Sequence, residues 1–152
     1  MKVIERDILQ ATVPLQNCIG VSSACKAAIH ATDRLFSWPS AQGILLVDAS
    51  NAFNAINRTA ALYNVPHLCP AMAQIMTNTY GKPIRLFFSG GGKILSKEGT
   101  CLGDALAMAI YAVAVTPLIR HLQQACPSTT QTMMAQGTIC ELYGNIGTNW
   151  LE

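Results

Sequence analysis

The stretch Gly43-Ile-Leu-Leu-Val-Asp-Ala-Ser-Asn-Ala-Phe-Asn-Ala-Ile-Asn-Arg58 decides how the rest of the chain is read. Four consecutive hydrophobes, Ile44, Leu45, Leu46 and Val47, suit a short strand covered on both faces. The run ends in a single carboxylate, Asp48, at a strand end that water and ligand can reach. A small polar turn follows, then Phe53 and a helix. An acid in this position either caps the following turn or helix, or holds a metal ion or a proton at a cleft. Phe53 is either a core aromatic beside Ala52 or part of a binding site. The residues alone leave both choices open.

Composition narrows the context. The chain has 152 residues, a single domain by length and long enough to bury a core. Hydrophobic residues make up 51% and charged residues 12%, against roughly 25% charged in an average globular domain. So little charge implies much internal surface, or faces that neighbouring parts of a longer protein cover. The net charge of +2 gives no basic tail, and charge alone does not argue for nucleic acid. Cys18, Cys25, Cys69, Cys101, Cys126 and Cys140 are irregularly spaced with no C-x-x-C pair, which suits reduced thiols in an intracellular protein, cytoplasmic or nuclear. The N-terminal Met-Lys-Val-Ile-Glu-Arg-Asp lacks a signal-peptide core. The longest apolar stretch, Ala105 to Ile119, is too short for a bilayer and reads as a buried helix, with no membrane partner expected.

Working outward in both directions, apolar spacing at Val3, Ile4, Ile8, Leu9 and Val13 predicts a helix that Pro14 closes. After a turn at Asn17 to Gly20, Ser22 or Ser23 caps a second helix to about Phe36. Its expected apolar stripe is Cys25, Ala28, Ile29, Leu35 and Phe36. Past Phe53, Asn57 caps a short helix through Tyr63 that Pro66 stops. Cys69-Pro70 opens another to about Tyr80. Ile84 to Phe88 and Lys93 to Ser96 form a hairpin across Ser89-Gly90-Gly91-Gly92. A loop from Glu98 leads into the longest helix, about Asp104 to Ala125, with Asp104 as its N-cap or first-turn acid and Pro117 as a kink. A weak strand leads to residue 140, and the last dozen residues lack periodicity. The resulting order is an α+β layout, with helices on one face of a small mixed sheet.

Two stretches then stand out together: Val47-Asp48-Ala-Ser-Asn-Ala-Phe53-Asn and Glu98-Gly-Thr-Cys-Leu-Gly103-Asp104-Ala-Leu-Ala-Met-Ala. They resemble the first palm motif and the Gln-Gly-Asp-Pro-Leu motif of the retroelement reverse transcriptases, which are RNA-directed DNA polymerases. The resemblance covers most of the chain, from about Leu15 to the end. It implies a polymerase palm-like fold, a small antiparallel or mixed sheet with helices packed on one face. Residues 1–40 would be a partial fingers-like helical segment and 41–152 a palm-like core, incomplete at its C-terminus, in one compact unit. It also implies magnesium, nucleotidyl transfer by two metal ions, dNTP, and an RNA or DNA template–primer. Asp48 would be the catalytic metal ligand, and Ala49, Phe53, Leu102 and Gly103 would line the nucleotide site, with Phe53 gating the sugar. Arg58, Lys82, Arg85, Lys93 and Lys97 would form a thin basic rim for backbone phosphates. As scattered charges, the same five also read as an ordinary solvated face.

The chain departs from the family where the chemistry lies. The family's aromatic-Ala-Asp-Asp turn should fall near Met133-Met134-Ala135-Gln136, which holds no acid. After Asp104 the only acids are Glu141 and Glu152. Leu102 stands where the family has Gln, and Ala105 where it has Pro. A leucine cannot make the polar contacts of an amide. The expectation is therefore a degenerate relative that does not polymerise by itself. The alternatives are a non-catalytic module that binds nucleic acid or protein, or a retroelement fragment with no selected function. Gly90-Gly91-Gly92 is a hairpin turn and not a phosphate loop. His30, His67 and His121 form no ligand pattern.

Overall fold

A computed structural model of the chain describes residues 2–13, 15, 23–39, 43–47, 49–101, 103–133 and 140–144. Asp48, Leu102, the turn at 17–20, Ser22 and the segment Met134 to Gln136 lie outside them, as do residues 145–152. The elements in order are α1 (Lys2–Thr12), α2 (Ala24–Phe36), β1 (Ile44–Val47), α3 (Ala52–Ala55), α4 (Arg58–Leu68), a 3-10 turn (Pro70–Met72), α5 (Ala73–Tyr80), β2 (Ile84–Phe87), β3 (Lys93–Ser96), α6 (Ala107–Ala125), β4 (Thr129–Met133) and β5 (Cys140–Gly144). The chain is α+β. Its strands form two antiparallel sheets where one mixed sheet was expected, three strands in the order β1-β5-β4 and the β2–β3 hairpin.

Helices supply the main core. Ile8 and Ala11 of α1, Ala61 and Val65 of α4, Met72, Met76 and Tyr80 around α5, and Ala109, Ile110, Val113 and Ala114 of α6 form one buried cluster. Small residues on α6 let α1 and α4 approach closely, and the flexible Met72 and Met76 fill what remains. This packing explains the helix that outran its predicted end. Pro66 was expected to stop α4, yet the helix continues to Leu68. An interior proline costs about 3 kcal/mol, but Ala61 and Val65 are fully buried against α6 and Asn64 Nδ2 donates to the Ala114 carbonyl at 3.1 Å. Burial holds the last turn in place. The predicted Asn57 cap is present, with its side-chain oxygen accepting from the Ala60 amide at 2.8 Å.

Other expectations change. α2 has the predicted bounds, but Ser23 adopts φ 58° and makes no side-chain cap bond. Within its stripe Ala28 is buried and Leu35 half-buried, but Ile29 and Phe36 are exposed. In β1, Leu45 is 49% exposed and Val47 41%, so the strand is not covered on both faces. Those two residues share one face of the pleat, and β5 pairs along the strand's edge without covering that face. The long helix starts at Ala107, three residues after Asp104. Among the described residues no helix is long and apolar enough to cross a membrane.

Candidate functional site

The two motif-bearing stretches are joined directly. The Thr100 amide donates to the Phe53 carbonyl at 2.6 Å, and the Gly99 amide donates to the Ile56 carbonyl at 2.9 Å. The Thr100 hydroxyl, on a residue only 2% exposed, shares the Phe53 carbonyl at 3.1 Å. Gly99 makes the approach possible. Its φ is +63°, and a Cβ there would lie 2.1 Å from the Asn54 carbonyl oxygen, so only glycine fits. The Phe53 ring is partly buried and meets Tyr111 of α6 edge-on, with centroids 5.3 Å apart. Ile56, Met108 and Val115 complete that second apolar cluster. The packing is that of a core aromatic.

Beneath the loop lies a polar hub that sequence reasoning did not find. Arg58 is only 4% exposed. Its guanidinium donates to the Gly99 carbonyl at 2.8 Å, the Ser96 carbonyl at 2.7 Å, the Ser96 hydroxyl at 2.8 Å and the Glu98 carbonyl at 2.7 Å. Its amide donates to a Glu98 carboxylate oxygen at 3.2 Å. The guanidinium also lies over the Tyr80 ring, 5.3 Å from the centroid. Arg58 is thus no part of a basic rim, because its donors are spent on residues 96–99. The sequence held one signal for this: Arg58 is in helical phase with Ala61 and Val65, on the face that α4 buries.

Tyr80 continues the network. Its hydroxyl donates to one Asp104 carboxylate oxygen and accepts from the Cys101 amide at 3.2 Å. Burial, and then the hydrogen bond to Asp104, push the phenol up to about 12. The other Asp104 oxygen accepts from the Leu106 amide at 2.9 Å, and the Asp104 carbonyl accepts from Ala107 at 3.1 Å. Asp104 therefore shapes the turn before α6 rather than serving as that helix's N-cap.

Of the other predicted site residues, Ala49 is exposed between β1 and α3. Gly103 is exposed at φ +91° with open space around it. Asp48 and Leu102 lie outside the described residues. Lys82, Arg85, Lys93 and Lys97 are all exposed, on or beside the β2–β3 hairpin. Among the described residues no group of three or more His, Cys, Asp or Glu could hold a metal. The two acids of the second stretch are committed elsewhere, Asp104 to Tyr80 and Leu106, and Glu98 to the Arg58 amide. The described residues thus do not form a magnesium set. A separate cleft of about 490 Å³, lined by Asp7, Gln10, Cys69, Pro70 and Arg120 among others, contains none of the predicted residues.

No family model matches the chain, and no curated protein matches it.

Proposed function

We propose that the chain is a reverse transcriptase-like unit of palm type, descended from an RNA-directed DNA polymerase, that binds nucleic acid and does not catalyse nucleotidyl transfer by itself. The observation that carries the reading is the order of the three-stranded sheet. Val47 at the end of β1 pairs with Cys140, and Cys140 pairs with Met133. Met133 and Cys140, the described residues on either side of the connecting segment, therefore lie beside Val47, the strand end that Asp48 follows. Two-metal phosphoryl transfer needs acids from separate strands around ions about 4 Å apart, and a strand end beside a hairpin turn is how a palm would supply them. The junction of Phe53 with Thr100 supports the same reading, because it unites the two stretches that carry the resemblance.

On this reading the missing acids would belong to the segment between β4 and β5. The residues between Met133 and Cys140 read Met-Ala-Gln-Gly-Thr-Ile and include no carboxylate. Magnesium is held by oxygen ligands, usually one or two carboxylates together with substrate phosphates. Asp48 alone leaves little to hold a pair of ions. Gly103, exposed with open space around it, would keep contact surface at the nucleotide without chemistry, whereas Phe53 packs on Tyr111 in the core. A primer-extension assay on a primed RNA template with magnesium or manganese tests this. The expected result is no extension. Template-dependent extension that Asp48→Ala abolishes would overturn the loss of chemistry.

A further inference from the structure

The β2–β3 hairpin has two faces that differ in chemistry. Antiparallel partners share a face, so Ile84 with Ser96 and Leu86 with Ile94 form one side, and Arg85 with Leu95 and Phe87 with Lys93 form the other. The first side meets the body at its base, while Leu86 and Ile94 further out are 36% and 57% exposed. Ile84 packs against the helical core, and the Ser96 hydroxyl accepts from Arg58. The second side, the outer face, is exposed along its whole length. It carries Phe87, 75% exposed, between Arg85 on its own strand and Lys93 directly across, with Leu95 beside them at 56%.

Charge singles out this element. From Lys82 to Lys97 there are four cations and no acid, whereas the whole chain carries a net +2, so the remainder is net negative. A bare phenyl ring flanked by cations costs solvation and gains nothing from the fold. It suits a ligand that presents a flat apolar face and a row of negative charges. Single-stranded nucleic acid has both, bases to stack on an aromatic and phosphates for Arg and Lys. A membrane-inserting hairpin would carry its bulk at the tip. Here the tip is Ser89-Gly90-Gly91-Gly92, with no large apolar side chain of its own, and the Phe88 ring beside it, 57% exposed, lies against Gly92.

We propose that the outer face of the β2–β3 hairpin is a platform for single-stranded nucleic acid, with a base stacked on Phe87 and the flanking phosphates on Arg85 and Lys93. Stacking and charge do not read the 2′-hydroxyl, so DNA and RNA strands should bind alike. The platform does not rest on polymerase ancestry; extension assays can fail or succeed without altering it.

The test is fluorescence anisotropy with the full chain and three labelled probes: oligo(dT), oligo(U) and an abasic deoxyribose-phosphate oligomer, each about 15 nucleotides long, enough to span a site of this size. Phe87 is exposed, so Phe87→Ala should fold, and a thermal melt of the variant checks that it does. Oligo(dT) and oligo(U) should bind with similar affinity, and more weakly as salt rises, with a log–log slope of about −1.4 to −3. Phe87→Ala should weaken oligo(dT) about tenfold and leave the abasic oligomer unchanged. Lys93→Glu should flatten the salt slope by about 0.7 or more. Abasic oligomer bound as tightly as oligo(dT), Phe87→Ala binding oligo(dT) like the wild type, or binding to anionic lipid vesicles in place of either oligomer would overturn the proposal.

Discussion

The Phe53 carbonyl receives both the amide and the hydroxyl of Thr100, 47 residues further along the chain, at 2.6 and 3.1 Å. This bifurcated contact fixes the 98–104 loop to the helix that follows β1. Its neighbour Gly99 is the residue that permits it. Gly99→Ala should destabilise the chain by about 3 kcal/mol or more, because left-handed backbone strain adds to a collision with Asn54. Gly103→Ala, at φ +91° in open space, should cost only the backbone strain, about 1–2 kcal/mol. Urea denaturation of the two variants measures the difference. Equal losses would mean that the close approach at Asn54 contributes nothing.

Arg58 holds the same loop from below. Arg58→Met keeps the apolar stem but leaves the buried Gly99 carbonyl without its donor and releases Ser96 and Glu98. The expected loss is about 3 kcal/mol. Arg58→Lys, a point charge in place of a planar fork, should lose about 2 kcal/mol. Hydrogen exchange should locate both effects, with the Thr100 and Cys101 amides exchanging faster than those of α6.

Tyr80 gives the hub a pH dependence. Its phenol is raised from an ordinary 10.0 to about 12, first by burial and then by its bond to Asp104. Above pH 10 the unfolded chain releases this proton while the folded chain keeps it, so the unfolded state gains. The contribution of Tyr80 is thus fully present below about pH 10 and is lost as pH rises through about 12. Stability measured from pH 8 to 12 for the wild type and Tyr80→Phe isolates it. The wild type should fall more steeply than the variant between pH 10 and 12, and parallel curves would refute the shift.

Where local chemistry decides the structure, the sequence was readable. The Asn57 cap, the Cys69-Pro70 start and the Gly90 to Gly92 turn each follow from a side chain or a backbone freedom acting within a few residues. Tertiary packing decided the rest. α4 passes through Pro66 because Val65 is buried against other helices, which no local signal reports. β5 has no alternation in Cys-Glu-Leu-Tyr-Gly and is a strand because β1 and β4 pair with it on both sides. Arg58 looked like a surface charge, and its role depends on carbonyls from residues about 40 positions away. At the site, the two stretches singled out in the sequence do meet, but the arginine and tyrosine that hold one of them in place were not legible.

On the proposed reading, the segment between Met133 and Cys140, whose flanking residues pair beside Val47, would be where a palm carries its second set of acids. Replacing both lost carboxylates in one variant, Ala135→Asp with Gln136→Asp, tests it most directly. Manganese binding is then followed by electron paramagnetic resonance. The wild type should bind the ion weakly or not at all, and the double variant should bind it at a site that Asp48→Ala removes. A folded double variant that binds no manganese, or binds it equally well without Asp48, would contradict the account.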